Sequence, residues 1–194
     1  MHNQKIKRMV SIAFLMALVL VMQLLSSVIP AIGGLSISLV LIPIVMGAVL
    51  YGPGAGALLG ATFGTIVYIN CITGADPGGA MVFQANPILC FLVVMGKGTL
   101  AGLFAGLVYK LVSKWNVHVA MICAAVICPV ANTGIFIACM LTFFKDVLAA
   151  WAGGGDIIAY VLTGLVLMNF VPELILNIVF GTVGHTIVHV VKSK

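Results

Sequence analysis

Two ionisable residues, Lys97 and Glu173, lie inside long apolar stretches of this chain. At the centre of a lipid bilayer such a side chain costs ~2.5–3.5 kcal/mol on insertion scales, so it marks a binding site, an ion pair or a proton pathway. Asn169 and Asn177 flank Glu173 at i−4 and i+4. On a helix this spacing puts both amides on the same face as the carboxyl group. The four residues therefore indicate a polar patch in an apolar environment.

Helical geometry predicts that polar groups from different stretches meet. A rise of ~1.5 Å per residue, counted from the nearest stretch end, puts Lys97 ~20 Å, Asn132 ~22 Å and Glu173 at most ~28 Å from one membrane surface. We expect them to converge on a polar pocket that binds a small molecule from outside. The predicted substrate-binding residues are Lys97, Asn132, Thr133, Asn169, Glu173, Asn177 and Asn86.

A structural ion pair between Lys97 and Glu173 is the alternative interpretation of the same residues. Such a pair would tie two helices together without any ligand. It could also serve both purposes, because a pair can reorganise around a polar solute. The sequence does not separate these two readings.

The composition requires an integral membrane protein. Hydrophobic residues make up 63% of the 194 residues and charged residues 7%, and the mean hydropathy is +1.30. A soluble domain could not bury so much apolar surface. The net charge of +5 does not indicate nucleic acid binding, because the basic residues cluster at the ends of apolar stretches. The five cysteines form no CxxC pair, so neither a disulfide framework nor a metal site is predicted.

Glycine, proline and polar breaks divide the chain into six predicted transmembrane helices in one all-α domain, residues 1–194. The second stretch is short and carries Pro43. The last one is too long for a straight crossing, so we expect it to tilt, bend near Pro172 or project. The loops at 26–36 and 72–86 are expected to roof the pocket. The predicted helices span residues 6–27, 36–51, 54–70, 87–112, 117–144 and 157–191.

The charge distribution predicts the orientation of this six-helix bundle. Seven of the nine basic residues fall on the side that holds both termini, and three of the four acidic residues fall on the other side. By the positive-inside rule both termini are cytoplasmic. Glycines also recur every fourth residue at 52–64 and 98–106. This spacing favours tight packing between helices of the same chain over a dimer interface.

Motifs for enzymatic chemistry are absent from the sequence. The segment "MGKGT" at 95–99 lacks the first glycine of a phosphate-binding loop. The chain is therefore not expected to hydrolyse ATP or to carry a cofactor of its own. His185 and His189 are one turn apart, but without an intervening glutamate they form only half of a metal motif. A membrane enzyme built on this histidine pair is a remote alternative.

Several segments resemble the substrate-binding S components of energy-coupling factor (ECF) vitamin transporters. The first helix carries Ala13 and Ala17 in "SIAFLMALVL", an Ala-x-x-x-Ala motif of that family. The block "SLVLIPIVMGAVLYGPGAGALLG" and the segments "NTGIF" and "NFVPELILN" look like the corresponding parts of its members. The resemblance covers the whole chain, including its length and six-helix topology.

The resemblance implies a function and partners. An S component captures a vitamin at the outer face of the bacterial cytoplasmic membrane and docks, here through Ala13 and Ala17, onto a transmembrane coupling subunit. Two ATPase subunits use ATP, and the S component is thought to topple in the membrane to deliver its cargo. The cation at Lys97 favours a small anionic vitamin such as pantothenate. The alternative is a self-sufficient proton-coupled transporter that uses Glu173 and Lys97, although no internal repeat is evident.

Overall fold

The structure is a computed structural model that describes the backbone of residues 2–28 and 39–192 and the side chains of residues 4–26 and 39–181. All regular elements in these ranges are helical. The last three described helical segments follow one another directly, and we call them together the C-terminal helix: α8 (Ile157–Tyr160), a π-helical segment (Val161–Phe170) and α9 (Val171–Lys192). The elements are α1 (His2–Val28), α2 (Leu41–Tyr51), α3 (Pro53–Thr73), α4 (Pro77–Ala85), α5 (Pro87–Val112), α6 (Val117–Phe143), α7 (Lys145–Trp151), α8 (Ile157–Tyr160) and α9 (Val171–Lys192).

Five helical stretches of the described chain are long and apolar enough to cross a bilayer: Gln4–Ser26, Pro53–Thr73, Pro87–Val112, Val117–Phe143 and Ile157–Gly181. The remaining predicted span is shorter than expected, because α2 has 11 residues. At ~1.5 Å per residue it is about half the ~30 Å thickness of a hydrocarbon core. Most of the loop before it, residues 29–38, lies outside the described residues.

Capping residues explain where α5 and α6 begin. Asn86 precedes Pro87, and its Oδ1 accepts a hydrogen bond of 3.0 Å from the Leu89 N–H. Asn116 Oδ1 accepts hydrogen bonds from the N–H groups of His118 and Val119, at 2.8 Å and 3.2 Å. Such caps satisfy backbone donors that have no partner within the first turn. Both helices begin where the sequence predicts.

The expectation of a loop at residues 72–86 is wrong for most of that segment, because α4 forms there. Pro77 is the first residue of α4 and follows Asp76, whose backbone is extended. Proline suits this position because its fixed φ is helical and its missing N–H would have no partner there. The helix ends at Asn86, which caps the next one.

Glycine contacts hold α3 and α5 together along their length. A Cβ added at Gly60 would overlap the backbone of Gly98, and one at Gly56 would overlap the backbone of Gly102. Nothing larger than hydrogen fits between these backbones. The prediction of tight intramolecular packing is confirmed for this helix pair.

The C-terminal helix changes its hydrogen-bonding pattern before Pro172. Residues 161–170 are π-helical, and the Val171 N–H donates to the Val166 carbonyl, five residues back. Proline cannot donate such a bond and clashes with the carbonyl four residues before it. A π-helical segment accommodates this clash without breaking the helix. The structure thus has a π-helical segment over residues 161–170, directly before Val171 and Pro172. A tilt, a bend or a projection of this helix stays a prediction.

The buried apolar residues form two clusters, and polar residues separate them along α5 and α6. The first cluster packs α1, α2 and α3 against Ala101 of α5 and Cys128 of α6. The second cluster, nearer α4, contains Val94 of α5 and Met140 of α6. Lys97 lies between the two clusters on α5, as does Asn132 on α6. The fold therefore leaves a polar level between two apolar layers.

Candidate functional site

A cavity of about 440 Å³ lies between the helices at the α4 side of the bundle. Residues of α1, α3, α5, α6 and the C-terminal helix line it, and so do residues of α4 and Trp151 of α7. Its volume is within the ~300–1,000 Å³ range of small-molecule sites. Five predicted site residues line it: Lys97, Asn132, Thr133, Asn169 and Glu173.

Lys97 extends from α5 into the cavity, where it is partly buried. Its Nζ lies 4.5 Å from the centroid of the Phe136 ring and 5.8 Å from that of Phe63. An ammonium group over an aromatic face is stabilised by ~0.5–2 kcal/mol, which partly replaces its lost hydration. Within the described side chains, the contacts of this cation are therefore aromatic, and a direct ion pair with Glu173 is not formed.

Glu173 is the most deeply buried charged residue among the described side chains, with 1% of its surface exposed. It projects from α9 into the cavity, close to Thr133 of α6. Its Oε1 atom has no hydrogen-bond partner in the described part of the chain. A buried polar atom without a partner costs ~1–3 kcal/mol, so this carboxyl group is held at a cost to stability.

Asn132 and Thr133 come from α6, one turn beyond Pro129. Both side chains are buried, and Asn132 is 6% exposed. Pro129 has no N–H, so it removes one backbone hydrogen bond from the helix at this level. Among the residues with described side chains, Asn132 Oδ1 finds no hydrogen-bond donor. Asn132 lines the cavity, so a molecule bound there could supply the missing donor.

The two asparagines beside Glu173 have different surroundings. Asn169, at the end of the π-helical segment, lines the cavity, and its buried Oδ1 lacks a donor within residues 4–26 and 39–181. Asn177 is buried one turn beyond Glu173 and does not line the cavity. Its Nδ2 donates a hydrogen bond of 2.9 Å to the Glu173 carbonyl oxygen. Asn177 thus braces the backbone that carries the carboxyl group.

Asn86 also lies apart from the cavity lining. Its side chain caps α5, which places Cys90 and Lys97 one and three turns further along the same helix. The structure therefore gives Asn86 a positional role. Substrate contact by Asn86 and Asn177 stays a prediction.

Several lining residues were missed because they lie near helix ends, where polar residues are common. A usable signal existed only in α1, where two polar residues three positions apart interrupt an apolar run. The Trp151 ring, contributed by α7, stacks on Phe136 with centroids 6.5 Å apart, and nothing in the sequence relates these two residues. The missed polar residues are Gln23, Ser26, Asn70, Asp76, Trp151 and Tyr160.

Ala13 and Ala17 lie on α1, away from the cavity. Both are exposed, together with the neighbouring Val10 and Phe14. In the described chain α1 packs against α2 and α3, and Arg8 ties it to their connection through a 2.8 Å hydrogen bond to the Tyr51 carbonyl oxygen. The outer face of α1 is therefore available to lipid or to another protein.

The chemistry of the cavity is that of binding. It offers one ammonium group, carboxyl groups and amide oxygens, surrounded by aromatic and aliphatic side chains. No cluster of three or more metal-ligating residues occurs among the described side chains. The side chains of His185 and His189 lie outside that set.

The family model for the substrate-specific component of ECF transporters matches residues 7–183. The chain belongs to this family. The resemblance in the sequence is thereby confirmed. No curated protein matches the chain.

As an ECF S component, the protein is a multi-pass membrane protein and the substrate-binding subunit of a transporter. S components are transport subunits and not enzymes. The family implies association with ECF coupling and ATPase modules and a small-molecule substrate. The cavity combines a suitable volume with converging polar groups, and it is our candidate for the substrate site.

Proposed function

We propose that this S component captures a small vitamin that carries a carboxylate, such as pantothenate, from outside the bacterial cytoplasmic membrane. The observation that carries the proposal is the Lys97 ammonium group, which faces the cavity without a carboxylate against it. A ligand carboxylate that replaced the aromatic contact would form a charge-assisted hydrogen bond, worth ~1.5–3 kcal/mol. Asn132, Thr133, Asn169 and Glu173 would contact the rest of the molecule, and the chain would need no cofactor.

We also propose six membrane crossings with both termini in the cytoplasm. The short α2 would be the remaining span, and the cavity would open toward the outside, beneath α4. This orientation follows the distribution of basic residues. It places the ligand site on the side from which a nutrient arrives.

Delivery would depend on partners. We propose that the exposed face at Ala13 and Ala17 docks onto the coupling subunit, whose two ATPase subunits supply the energy. Alanine side chains permit close approach of two helices within a membrane. Ala13 and Ala17 do not line the cavity, so ligand binding and docking would use different residues and the protein could hold its ligand while docked.

A thermal-shift screen of the purified chain against B vitamins and their precursors tests the capture function. A ligand at a thousand times its dissociation constant stabilises the folded state by ~4 kcal/mol. One responding vitamin would support capture and identify the cargo. A panel without any response would contradict it.

A proton-coupled transporter that works without partners is the second candidate, favoured by the buried Glu173 carboxyl group. Proteoliposomes that contain only this chain distinguish the two functions. Accumulation driven by a pH gradient would support the second candidate. Ligand binding without accumulation supports the S-component mechanism.

A further inference from the structure

The cavity contains hydrogen-bond acceptors that the protein leaves unused. Asn132 and Glu173 are 6% and 1% exposed, and both line the cavity. Neither Asn132 Oδ1 nor Glu173 Oε1 meets a donor in the described portion of the molecule. Buried acceptors are nearly always satisfied in folded proteins, so these two atoms call for donors from a ligand. We name these two residues the acceptor floor.

Lys97 faces the cavity from α5. Its Nζ is 4.5 Å from the centroid of the Phe136 ring and 5.8 Å from that of the Phe63 ring. Asn132 and Glu173 face the same cavity from α6 and α9. The cation and the acceptor floor therefore belong to different walls of one cavity.

The lining also disfavours a ligand that offers only a negative charge. Among the described lining residues, Lys97 is accompanied by two residues with carboxyl groups, Glu173 and Asp76. A ligand with a carboxylate and nothing else would find a partner in Lys97 but would leave the carboxyl and amide oxygens of the lining without donors. Hydrogen-bond donors on the same ligand would turn the acceptor floor from a repulsive surface into an attractive one.

We propose that the ligand is two-ended, with a carboxylate against Lys97 and N–H or O–H donors against the acceptor floor. This inference rests on the proposed capture function and specifies the chemical class of its substrate. Simple fatty acids lack the donors, and cationic vitamins lack the carboxylate. The apolar part of the ligand would lie along Phe63 and Phe136, which line the cavity beside Lys97.

Matched probes test the two ends separately. Pantothenate and panthenol differ at the carboxylate, as do biotin and biotinamide, and octanoate is a carboxylate without a donor-rich end. Affinities are measured by calorimetry for the wild-type chain and for Lys97→Gln, Asn132→Leu and Glu173→Gln. Thr142→Val is the control, because Thr142 is on α6, exposed, and bonded to its own helix at the Ala138 carbonyl.

We expect the responding acid to bind at least tenfold more tightly than its carboxylate-free partner, and Lys97→Gln to remove that difference. Asn132→Leu should weaken both members of the pair by a similar factor of ten or more, leaving their ratio unchanged. Glu173→Gln keeps one acceptor oxygen, so it should weaken both members by a smaller factor. Octanoate should not bind, and Thr142→Val should change nothing.

Tight octanoate binding, or unchanged affinity in Glu173→Gln and Asn132→Leu, would overturn the two-ended ligand while capture stands. A vitamin without a carboxylate as the sole responder would do the same. No response from these probes or from the wider vitamin panel would overturn both proposals.

Discussion

Lys97 and Glu173 face the same cavity, yet the Lys97 ammonium group lies over the Phe136 ring at 4.5 Å and not against the Glu173 carboxyl group. A direct pair would have partly neutralised both charges inside the bundle. Their separation leaves each group able to interact with a solute. We therefore interpret Lys97 and Glu173 as the two ends of one binding site.

Lys97→Ala should weaken binding of a carboxylate-bearing substrate by ~1.5–3 kcal/mol, because it removes a charge-assisted hydrogen bond. Calorimetry with the vitamin found in the thermal-shift screen measures the change. Thr142→Val is again the control. An unchanged affinity of Lys97→Ala for this vitamin would show that Lys97 has only a structural role.

Glu173→Leu should stabilise the ligand-free protein by ~1–3 kcal/mol, because it removes a buried carboxyl group with an unsatisfied oxygen. The same variant should lose ligand binding. Unfolding in detergent, with and without ligand, measures both effects. A less stable ligand-free variant would show that the carboxyl group is satisfied in the folded state.

Ala13→Arg and Ala17→Arg should each abolish uptake while leaving substrate affinity unchanged, because a long charged side chain prevents close docking of α1. Ala138→Arg is the matched control, since Ala138 is an exposed alanine on α6, a helix outside the proposed docking face. Uptake is measured in cells or proteoliposomes that contain the whole transporter. Uptake at the level of the control would exclude this face of α1 from docking.

Gly98→Ala should destabilise the protein by ~1–3 kcal/mol or more, because the added methyl group meets the Gly60 backbone. Gly96→Ala is the control two residues away on the same helix, where a Cβ meets no atom within 4 Å. Alanine favours a helix over glycine by ~0.5–1 kcal/mol, so this control should be neutral or stabilising. Equal thermal unfolding of the two variants would contradict the close α3–α5 contact.

Labelling tests the proposed orientation. In a background without native cysteines, Gly155→Cys, between α7 and α8, should react with a membrane-impermeant maleimide on intact cells. Ser113→Cys, between α5 and α6, should react only after permeabilisation. The reverse pattern would place the termini outside.

Helix positions could be predicted where the sequence carries a local signal. The bounds of α5 coincide with the prediction because Asn86 and Pro87 define its start, and the polar Ser113 and Lys114 follow its end. The start of α2 at Leu41, five residues later than predicted, and the helix at 77–85 were not foreseen. The π-helical segment has no periodicity that distinguishes it from an α-helix over ten residues.

Site residues could be predicted from the sequence only where a polar side chain lies far from the ends of an apolar stretch. Lys97, Asn132 and Glu173 are such residues, because burying each of these side chains in a membrane costs free energy. Counting residues along straight helices then put them at similar levels, and they do line one cavity. Asp76 and Trp151 reach the cavity through the fold of α4 and α7, which linear counting cannot show.

The backbone contact between α3 and α5 limits how this protein can change shape. Two helices that touch through glycine have no side-chain layer that could rearrange, so they cannot slide or separate by small rotamer changes. We expect α3 and α5 to keep their positions relative to each other during ligand entry and release. The movement that opens the cavity must then come from the elements around this helix pair: α4, the C-terminal helix with its π-helical segment, or α1.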